Sequence, residues 1–521
     1  MRVRNIVFSL MILVNACEFD VLGCESDSTV DSLSPPGPVL PSENLIPVSS
    51  SLPVLVHPPI GESVKFGKDK QIRLVAKLRN YPDANSGKRD PDIYSPKSVN
   101  IHPSGCKFYV NSLEGGKTVV YSLPELEKLA VISHKLDSSH SGLWASPSGL
   151  FKFRHYSKDL NIFVGKPVES IFSHGGRYLW IPYYRRSFDL NAQDPSAMAV
   201  IDTSSDTIVR IMEAGVLPKM VTLSPDGSTV AVAHWGDNTV GFIDVTSGNP
   251  EDWSYVANIP VGKQLFHDYS LSVAVDRDRN TGEALRGSVF TPDSRYFLVG
   301  CMSGGGVAVI DVERKKYLGK LYGMMPNVRH IVIKGDWLYV SINIAGYVQR
   351  VSLSNIMKGI AVLEEGERNL TVSDWQSVKV DAGARTLDLS PCGDYIFVAC
   401  NTDSRVCIVD SSMMKIAEIP VDSYPVGLGV SSDGQWLITT SQGRKGYGGN
   451  CVDVYKLEGL DRYVFPETIE ESEIDSSEDA VSEDNPESDP HSIAFSLTDI
   501  RNWVLVFFGG LCYLLSMAAY I

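Results

Sequence analysis

The chain of 521 residues is 43% apolar and 21% charged, a composition that supports a large globular core and excludes wholesale disorder. Its net charge is −15, but eleven acidic and no basic residues lie between Glu467 and Asp489, which leaves −4 for the remainder. The folded part is therefore nearly balanced in charge. It offers no basic face of the kind that binds nucleic acid, so we expect no nucleic-acid partner.

The N-terminus has the pattern of a secretory signal. Arg2 and Arg4 precede an apolar run over residues 6–14, which is too short to span a bilayer. The sequence predicts a signal peptide over residues 1–16, followed by a linker over 17–60. Cys17 comes directly after the small residue Ala16, as in a relaxed bacterial lipoprotein signal, so lipidation of Cys17 and simple cleavage both stay open.

The C-terminus has the pattern of a membrane anchor. Residues 503–521 are nineteen residues without a charge, and a helix of that length covers the ~30 Å hydrocarbon core. The sequence predicts a transmembrane helix over 499–521 behind an acidic disordered stalk over 461–498. A removable glycolipid-anchor signal is the alternative. We therefore expect an exported, membrane-anchored protein on the periplasmic or cell-surface side.

An internal repeat predicts the fold. Ser224-Pro225-Asp226-Gly227, a Val/Ala-rich strand and a second strand ending in Asp244 recur from Thr291 to Asp311 and from Ser390 to Asp410, each time over twenty residues. Looser copies complete seven units, which start near residues 97, 167, 218, 285, 328, 384 and 425. Four short strands in each unit are typical of a propeller blade. The sequence predicts an all-β, seven-bladed β-propeller over residues 61–460.

The ring needs a closing strand, because the last unit ends one strand short at residues 452–457. Residues 71–78 are the predicted closing strand, and residues 52–57 are the alternative. Residues 146–149 resemble an eighth turn, but we interpret 134–165 as an insertion, since the sequence that follows this turn is not strand-like.

These units resemble the YVTN β-propeller repeat family, which includes YncE-type proteins. The resemblance covers roughly residues 70–458 and includes the closing pattern Val-x-Val-Ile-Asp, which ends at Asp311. The stretches 165–186 and 234–238 resemble uncharacterised exported bacterial members. The resemblance implies the fold, whereas blades serve many functions. The wider group includes lactonases and proteins described as DNA-binding, but neither activity has a residue signature that transfers to this chain.

One column of the repeat is mostly basic. The residues five positions before each turn are Lys97, Val168, Lys219, Arg286, Arg329, Arg385 and Val426. Because equivalent positions of a propeller face a shared channel, the sequence predicts a positive ring that attracts an anionic ligand. The alternative is that these cations pair with the closing aspartates of neighbouring units and only tie the blades together.

Variable loops should open on the same face as this ring. They supply the other candidate ligand-binding residues: Arg185, Arg186, His234, Trp235, Asp237 and Arg444. The aromatic faces of Trp235, Tyr183 and Tyr184 beside Arg and Asn suit a polymer or carbohydrate-like ligand with negative groups. His234 is favoured as a hydrogen-bonded loop residue over a metal ligand, because no second histidine or carboxylate recurs at a fixed spacing.

The sequence thus predicts a monomeric, membrane-tethered binding module for a protein or an anionic ligand at the channel mouth. The alternative is a lactonase-like or other hydrolytic enzyme that uses Asp237 and His234 at the same mouth. No catalytic motif is present, so no catalytic residue is assigned, and no cofactor or metal is expected. Cys400 and Cys407 flank a predicted hairpin, and their disulfide state stays open.

Overall fold

A computed structural model describes residues 58–80, 89–156, 159–266, 269, 273–275, 280, 282–444 and 448–460. The predicted signal peptide, Cys17, the alternative closing strand, the acidic stalk and the predicted transmembrane helix lie outside these residues. Among the residues described, no helix is long and apolar enough to cross a bilayer.

The strands follow the predicted repeat in chain order. Two strands come first, β1 (Ser63–Lys65) and β2 (Gln71–Arg79). Blade 1 contains β3 (Pro96–Ile101), β4 (Lys107–Ser112), β5 (Lys117–Ser122) and β6 (Lys128–Ser133). An insertion with β7 (Lys135–Leu136) and a 3-10 helix (Ser138–Leu143) follows. Blade 2 contains β8 (Phe163–Pro167), β9 (Ile171–Ser173), a 3-10 helix (His174–Gly176), β10 (Tyr178–Arg186), β11 (Ser196–Asp202) and β12 (Thr207–Ala214).

The remaining five blades complete the chain. Blade 3 contains β13 (Pro218–Leu223), β14 (Thr229–His234), β15 (Thr239–Asp244), a 3-10 helix (Pro250–Asp252) and β16 (Ser254–Pro260). Blade 4 contains β17 (Leu285–Phe290), β18 (Tyr296–Cys301), β19 (Val307–Asp311) and β20 (Lys316–Tyr322). Blade 5 contains β21 (Val328–Lys334), β22 (Trp337–Ile342) and β23 (Tyr347–Ser352), then helix α1 (Leu353–Glu364), β24 (Asn369–Thr371) and β25 (Gln376–Lys379). Blade 6 contains β26 (Ala384–Leu389), β27 (Tyr395–Cys400), β28 (Arg405–Asp410) and β29 (Lys415–Pro420). Blade 7 contains β30 (Pro425–Val430), β31 (Trp436–Ser441) and β32 (Cys451–Glu458).

Seven sheets form the propeller, and the prediction of seven blades is confirmed. The first strand of each blade is innermost, and from blade 3 through blade 7 to blade 1 each first strand packs against the first strand of the next blade. In blade 2, β8 and β9 share this place, since both pair with β10. Apolar clusters fill the spaces between neighbouring blades, as between blades 4 and 5. Equivalent positions therefore face one axis.

The ring closes as predicted. Strand β2 pairs antiparallel with β32, from Gln71 opposite Glu458 to Arg79 opposite Cys451. Strand β1 adds a fifth strand outside β2. Blade 7 is therefore built from both ends of the propeller domain, and the edge of β32 is paired.

A buried cluster of charges lies at this closure. Nζ of Lys77, on β2, is 2.6 Å from Asp453 Oδ1 on β32 and 3.4 Å from Asp422 Oδ2. Nη2 of Arg79, also on β2, is 2.7 Å from Asp422 Oδ2. All four side chains are withdrawn from solvent. The N-terminal strand is thus joined to the last blade by ion pairs in addition to the backbone ladder.

Two segments depart from the regular blade. Residues 134–165 form an insertion without an eighth blade, as predicted. Helix α1 was not predicted, although Ile356, Ile360 and Leu363 recur at helical spacing and are buried, and the Ser352 side chain accepts the N–H of Asn355 as a cap. Strand β24 then pairs parallel with β20 and covers the outer edge of blade 4.

The closure cluster predicts the effect of removing one buried cation. We expect Lys77→Met to lower the free energy of unfolding by about 3–5 kcal/mol, because Asp453 keeps a buried charge without its ammonium partner. Chemical denaturation at pH 7 measures this loss.

The matched control is Arg73→Met. Arg73 pairs with Glu458 across the same two strands, but both side chains are exposed. This substitution should cost less than about 1 kcal/mol. Equal losses in the two variants would show that burial of the Lys77 pair carries no special weight at the closure.

Candidate binding site on the mouth face

Each innermost strand begins with an irregularity at the predicted cation column. In blade 3, Pro218 pairs with His234 and Met220 with Ala233, so Lys219 is the extra residue of a β-bulge. The same shift of register occurs at Lys97, Arg286, Arg329, Arg385 and Val426. In blade 2 the strand is interrupted between β8 and β9, where Val168 lies. A bulge redirects a side chain, so the column leaves the ordinary alternation of the strand.

A left-handed residue precedes the bulge by two positions in six blades. These residues are Ser95, Leu217, Ala284, Asn327, Gly383 and Tyr424. The carbonyl of each left-handed residue accepts the backbone N–H of the residue that follows the second strand of the same blade. In blade order, these donors are Leu113, Trp235, Met302, Asn343, Asn401 and Gln442. Five of the six left-handed residues carry side chains, so this backbone geometry costs on the order of 1 kcal/mol or more at each. Its recurrence shows that it belongs to the fold.

The predicted cations are buried between blades. All five basic members of the column are at most 8% exposed. Nζ of Lys219 lies 4.0 Å from the ring centroid of Tyr184, and the Arg286 guanidinium lies 5.0 Å from that of Trp235. Arg329 Nη1 is 3.5 Å from the sulfur of Met302. The ring is therefore a packed layer, and its binding of a ligand stays a prediction.

The closing aspartates are not the partners of these cations, although the cations do contact neighbouring blades. Strand β15 runs from Thr239, which pairs with His234 at the mouth end of the blade, to the closing residue Asp244, which pairs with Thr229 at the other end. The closing aspartates thus lie at the opposite ends of the blades from the cations. Asp202 and Asp311 instead bind Arg177 and Arg314 near their own turns.

Three of the cations line a small axial cavity. Arg286, Arg329 and Arg385 surround it together with Glu169 and His330. Its volume is about 20 Å³, which is room for about one water molecule. Burial lowers the pKa of His330 to about 4, so this ring is neutral at pH 7. A polymer does not fit into a cavity of this size, and the binding of an anionic ligand by the basic ring stays a prediction.

The predicted loop arginines have structural contacts. Arg185 donates to the carbonyl of Leu190 at 2.7 Å and holds its own loop. Arg444 in blade 7 lies 5.9 Å from the ring of Tyr424.

Arg186 is 2% exposed, and it attaches the insertion to blade 2. Its guanidinium lies 5.4, 4.8 and 4.7 Å from the ring centroids of Trp144, Phe153 and Phe163. Burial lowers its pKa to about 10. The surrounding aromatic rings therefore enclose Arg186, and it does not present its charge to a ligand on the surface.

His234 is fully buried and both ring nitrogens are engaged. The Gly215 N–H donates to Nε2 at 3.0 Å, which leaves the proton on Nδ1. Nδ1 therefore donates to Thr239 Oγ1 at 2.8 Å, and this hydroxyl donates to Asp237 Oδ1 at 2.8 Å. Burial lowers the pKa of His234 to about 3. His234 thus orients Asp237 through Thr239, and the predicted hydrolytic pair of Asp237 and His234 is not formed.

A larger pocket opens beside the axial cavity on the same face. Its volume is about 490 Å³, within the range of ligand sites. Five segments form its walls: the insertion, the loop before β11, the residue preceding β13 by two positions, the turn after β14 and the segment after β16. They contribute residues 150–154, 193–195, 216, 236–237 and 264–266, respectively. Of the predicted site residues described here, only Asp237 lines this pocket. Trp235 is instead part of the packed layer beside it.

Gln193 is the most informative of the pocket residues that the sequence analysis missed. It is 5% exposed, and its Nε2 and Oε1 have no hydrogen-bond partner among the described residues. The Asp189 carboxylate accepts its backbone N–H at 2.9 Å and fixes the loop. The neighbouring Asp194 carboxylate accepts the N–H of Arg154 at 2.8 Å. The only signal in the sequence was the length of this loop.

Two groups of three possible metal ligands exist among the described residues, and neither includes a residue of the pocket. One consists of Asp422, Cys451 and Asp453, where Lys77 and Arg79 supply the positive charge. In the other, Asp381, Cys407 and Glu418, Lys415 Nζ lies 2.6 Å from Asp381. Both are ion-pair networks. The sulfurs of Cys400 and Cys407 are 3.6 Å apart and not bonded.

Comparison with known proteins assigns neither a family nor a function to this chain. No family model and no curated protein matches this sequence. A solved chain described as Kuenenia stuttgartiensis hydrazine synthase is 14% identical, with a TM-score of 0.49 over 72% of this chain and 98% of that one. The Myceliophteria thermophila Cps50 (Swd1) beta-propeller domain is 11% identical, with a TM-score of 0.47 over 73% and 99%. The seven-bladed assignment therefore depends on the sheet order itself.

The buried histidines predict a loss of stability in acid. Below pH 6.5 an unfolded histidine takes up a proton, whereas His234 in the fold stays neutral down to about pH 3. Its contribution is therefore complete above pH 6.5 and is lost as the pH falls toward 3. In His234→Asn, the slope of unfolding free energy against pH between pH 6 and 4 should decrease by about 1.4 kcal/mol per pH unit.

Denaturant titrations at several pH values measure this slope. His134 provides a second, independent test, because it is also fully buried and burial lowers its pKa to about 3. His134→Asn should reduce the slope by the same amount. An unchanged slope in both variants would contradict the neutral, buried state of these rings.

Proposed function

We propose that this protein is a membrane-tethered, extracytoplasmic binding module that holds a segment of a partner protein in the 490 Å³ pocket. The propeller fold suits such a module. The observation that carries the proposal is the Gln193 carboxamide, a buried donor and acceptor on the pocket wall without a protein partner among the described residues. Leaving such groups unpaired costs about 1–3 kcal/mol each, and a ligand that pairs with both removes this cost.

A peptide group is the ligand chemistry that fits Gln193 best. A carboxamide donates through Nε2 and accepts through Oε1, and a backbone amide offers the complementary acceptor and donor. Phe151, Leu265 and Phe266 add apolar wall to the same pocket. Leu150 and Phe266 also line the pocket and are exposed to solvent, and exposed apolar side chains that lie together often mark an interaction surface.

An anionic polymer fits this pocket less well. Lys152 and Arg154 line it, but Asp194 and Asp237 line it too, so its formal charge is zero. A positive potential that would concentrate a polyanion is therefore missing at the described wall.

A lactonase-like hydrolase is also less favoured. The wall has two carboxylates, but Asp194 is engaged by the insertion backbone and His234 is withdrawn from the pocket. The arrangement supports holding a ligand more than activating water.

The tether is inferred from the sequence. The signal over residues 1–16, Cys17 and the apolar segment 499–521 support export and membrane attachment. The like-charged stalk over 461–498 would extend and hold the propeller away from the bilayer. Membership of the YVTN family is part of the same proposal, supported by the Ser-Pro-Asp-Gly repeat.

The Gln193 proposal predicts a specific loss of binding. A phage-displayed library of linear peptides is selected on the full-length protein in detergent, and calorimetry then gives the Kd of the selected peptides. Gln193→Ala should weaken binding by roughly 10–100-fold, since one ligand amide loses both its partners. The variant should unfold no more easily than the wild type, because an unsatisfied group is removed.

The matched control is Gln442→Ala. Gln442 lies on the same face in blade 7, where its Nε2 donates to Ser95 Oγ, and it is not part of the pocket. This variant should bind the selected peptides with wild-type affinity. Failure to select any peptide, or equal losses in both variants, would contradict the proposal. Binding of polyphosphate or of acidic oligosaccharide in its place would favour the anionic-polymer alternative.

The tether makes a separate prediction about localisation. A chain truncated after residue 498 should move from the membrane fraction to the soluble extracytoplasmic fraction, because it lacks the apolar segment. If Cys17 is lipidated, complete release requires Cys17→Ser as well. Fractionation with immunoblotting measures this, and a truncated Cys17→Ser chain that stays with the membrane would overturn the proposed anchors.

A further inference from the structure

One wall of the 490 Å³ pocket is a short segment of the insertion with the side-chain pattern of a strand. Leu150, Lys152 and Arg154 are exposed, whereas Phe151 is buried and Phe153 is half-buried. Alternation with a period of two is the pattern of an extended β-strand. Residues 150–154 nevertheless belong to none of the seven sheets.

The backbone of this segment is unpaired at its centre. The N–H and C=O groups of residues 151–153 make no hydrogen bond with any residue that the structure describes. The backbone on either side is engaged, since the Ser148 N–H donates to Glu213 Oε1 at 2.6 Å. The Arg154 N–H likewise donates to Asp194 Oδ1 at 2.8 Å. Residues 151–153 therefore form an open backbone edge on the pocket wall, and extended peptides add to such edges as a further strand.

Side-chain contacts hold this edge in place. The ring of Phe151 packs against the rings of His234 and Tyr255, at centroid distances of 5.6 and 5.1 Å. The Arg186 guanidinium lies 4.8 Å from the ring centroid of Phe153. Because the edge is already ordered, a ligand that pairs with it loses little binding free energy to ordering the protein.

We propose that the partner segment binds in extended form, as a β-strand paired with residues 151–153. This inference rests on the function proposed for the pocket and specifies how the segment is held. The peptide groups of an extended chain point alternately to its two edges. Every second residue of the ligand therefore bonds to residues 151–153, and a residue between them bonds to the Gln193 carboxamide through its own N–H and C=O.

This geometry also defines the side chains of the partner. In an extended ligand, successive side chains point to opposite faces. Those directed into the pocket meet the apolar wall of Leu265 and Phe266, and those between them face solvent. The partner segment is therefore an extended one in which apolar and polar residues alternate.

A scan of N-methylated peptides tests the strand pairing. Each residue of one peptide selected on the full-length protein in detergent is N-methylated in turn, which removes one donor and leaves every side chain intact. Calorimetry should show that methylation weakens binding by roughly 5–10-fold at alternating residues and at the residue paired with Gln193. In Gln193→Ala the alternating losses should remain, whereas the loss at the paired residue should vanish.

Gln442→Ala, which leaves the pocket intact, is the matched control and should give the wild-type profile. Losses without alternation would overturn the strand pairing. If the selected peptides still depend on Gln193 in that case, the proposed binding function stands and this inference alone fails. If no peptide can be selected, both fail.

Hydrogen exchange gives a second measurement that needs no variant. The amides of residues 151–153 should exchange fast in the free protein, because no described carbonyl accepts them. Saturating peptide should slow exchange in this segment by roughly tenfold, whereas the turn over residues 226–228, at the far end of blade 3, should not change. Unchanged exchange at residues 151–153 would overturn the strand pairing even if the peptide binds.

Discussion

Antiparallel pairing between β2 and β32 joins the start of the propeller domain to its last blade, and it covers the outer edge of β32. The buried contacts of Lys77 and Arg79 with Asp453 and Asp422 fix the same joint with charge. A stack of seven sheets without this joint would have no shared axis. The positions that line the mouth, and the cavity on the axis, exist as sites only because the ring closes.

The mouth is built by a repeated irregularity of the backbone. In six blades a left-handed residue followed by a register shift turns one side chain away from the strand alternation, and in blades 3 to 5 this side chain contacts the preceding blade. What it meets there differs around the ring. In blades 2 and 3 the neighbouring position is aromatic, Tyr184 and Trp235, and Lys219 and Arg286 lie over these rings. In blades 5 to 7 the position is an amide, and Asn343, for example, donates to the carbonyl of Ala384 in the next blade. In blades 1 and 4 the position is Leu113 and Met302. One backbone motif thus supports three kinds of contact, and the pocket lies on the aromatic side.

Much of the fold could be read from local signals. The Ser-Pro-Asp-Gly turns, the twenty-residue spacing and the apolar strand over 71–78 each depend on residues close together in the chain, and the predicted blade starts agree with the innermost strands. The cation column was found for the same reason, since it has a constant spacing from the turn. The sequence could not predict that these cations are buried, because their burial depends on contacts with Tyr184, Trp235 and Met302, which are distant in the chain. The pocket was missed for a related reason. Its wall combines five distant segments, and no spacing links Gln193 to residues 150–154 or 264–266.

The repeat and the insertion have different roles in the candidate site. The repeats supply a rigid face, whereas residues 150–154 of the insertion supply one wall of the pocket. That wall is held from blade 2 by two contacts, the Asp194 carboxylate with the N–H of Arg154 and the Arg186 guanidinium among Trp144, Phe153 and Phe163. Aromatic faces stabilise a desolvated guanidinium, so Arg186 can stay buried while it positions Phe153, which lines the pocket. Arg185 and Arg186 were adjacent candidates in the sequence, but their contacts differ. Arg185 holds its own loop, whereas Arg186 holds the insertion, whose Phe153 lies about thirty residues earlier in the chain. Ligand recognition on this face would therefore depend on the insertion, and the insertion is held by Arg186, which does not line the pocket.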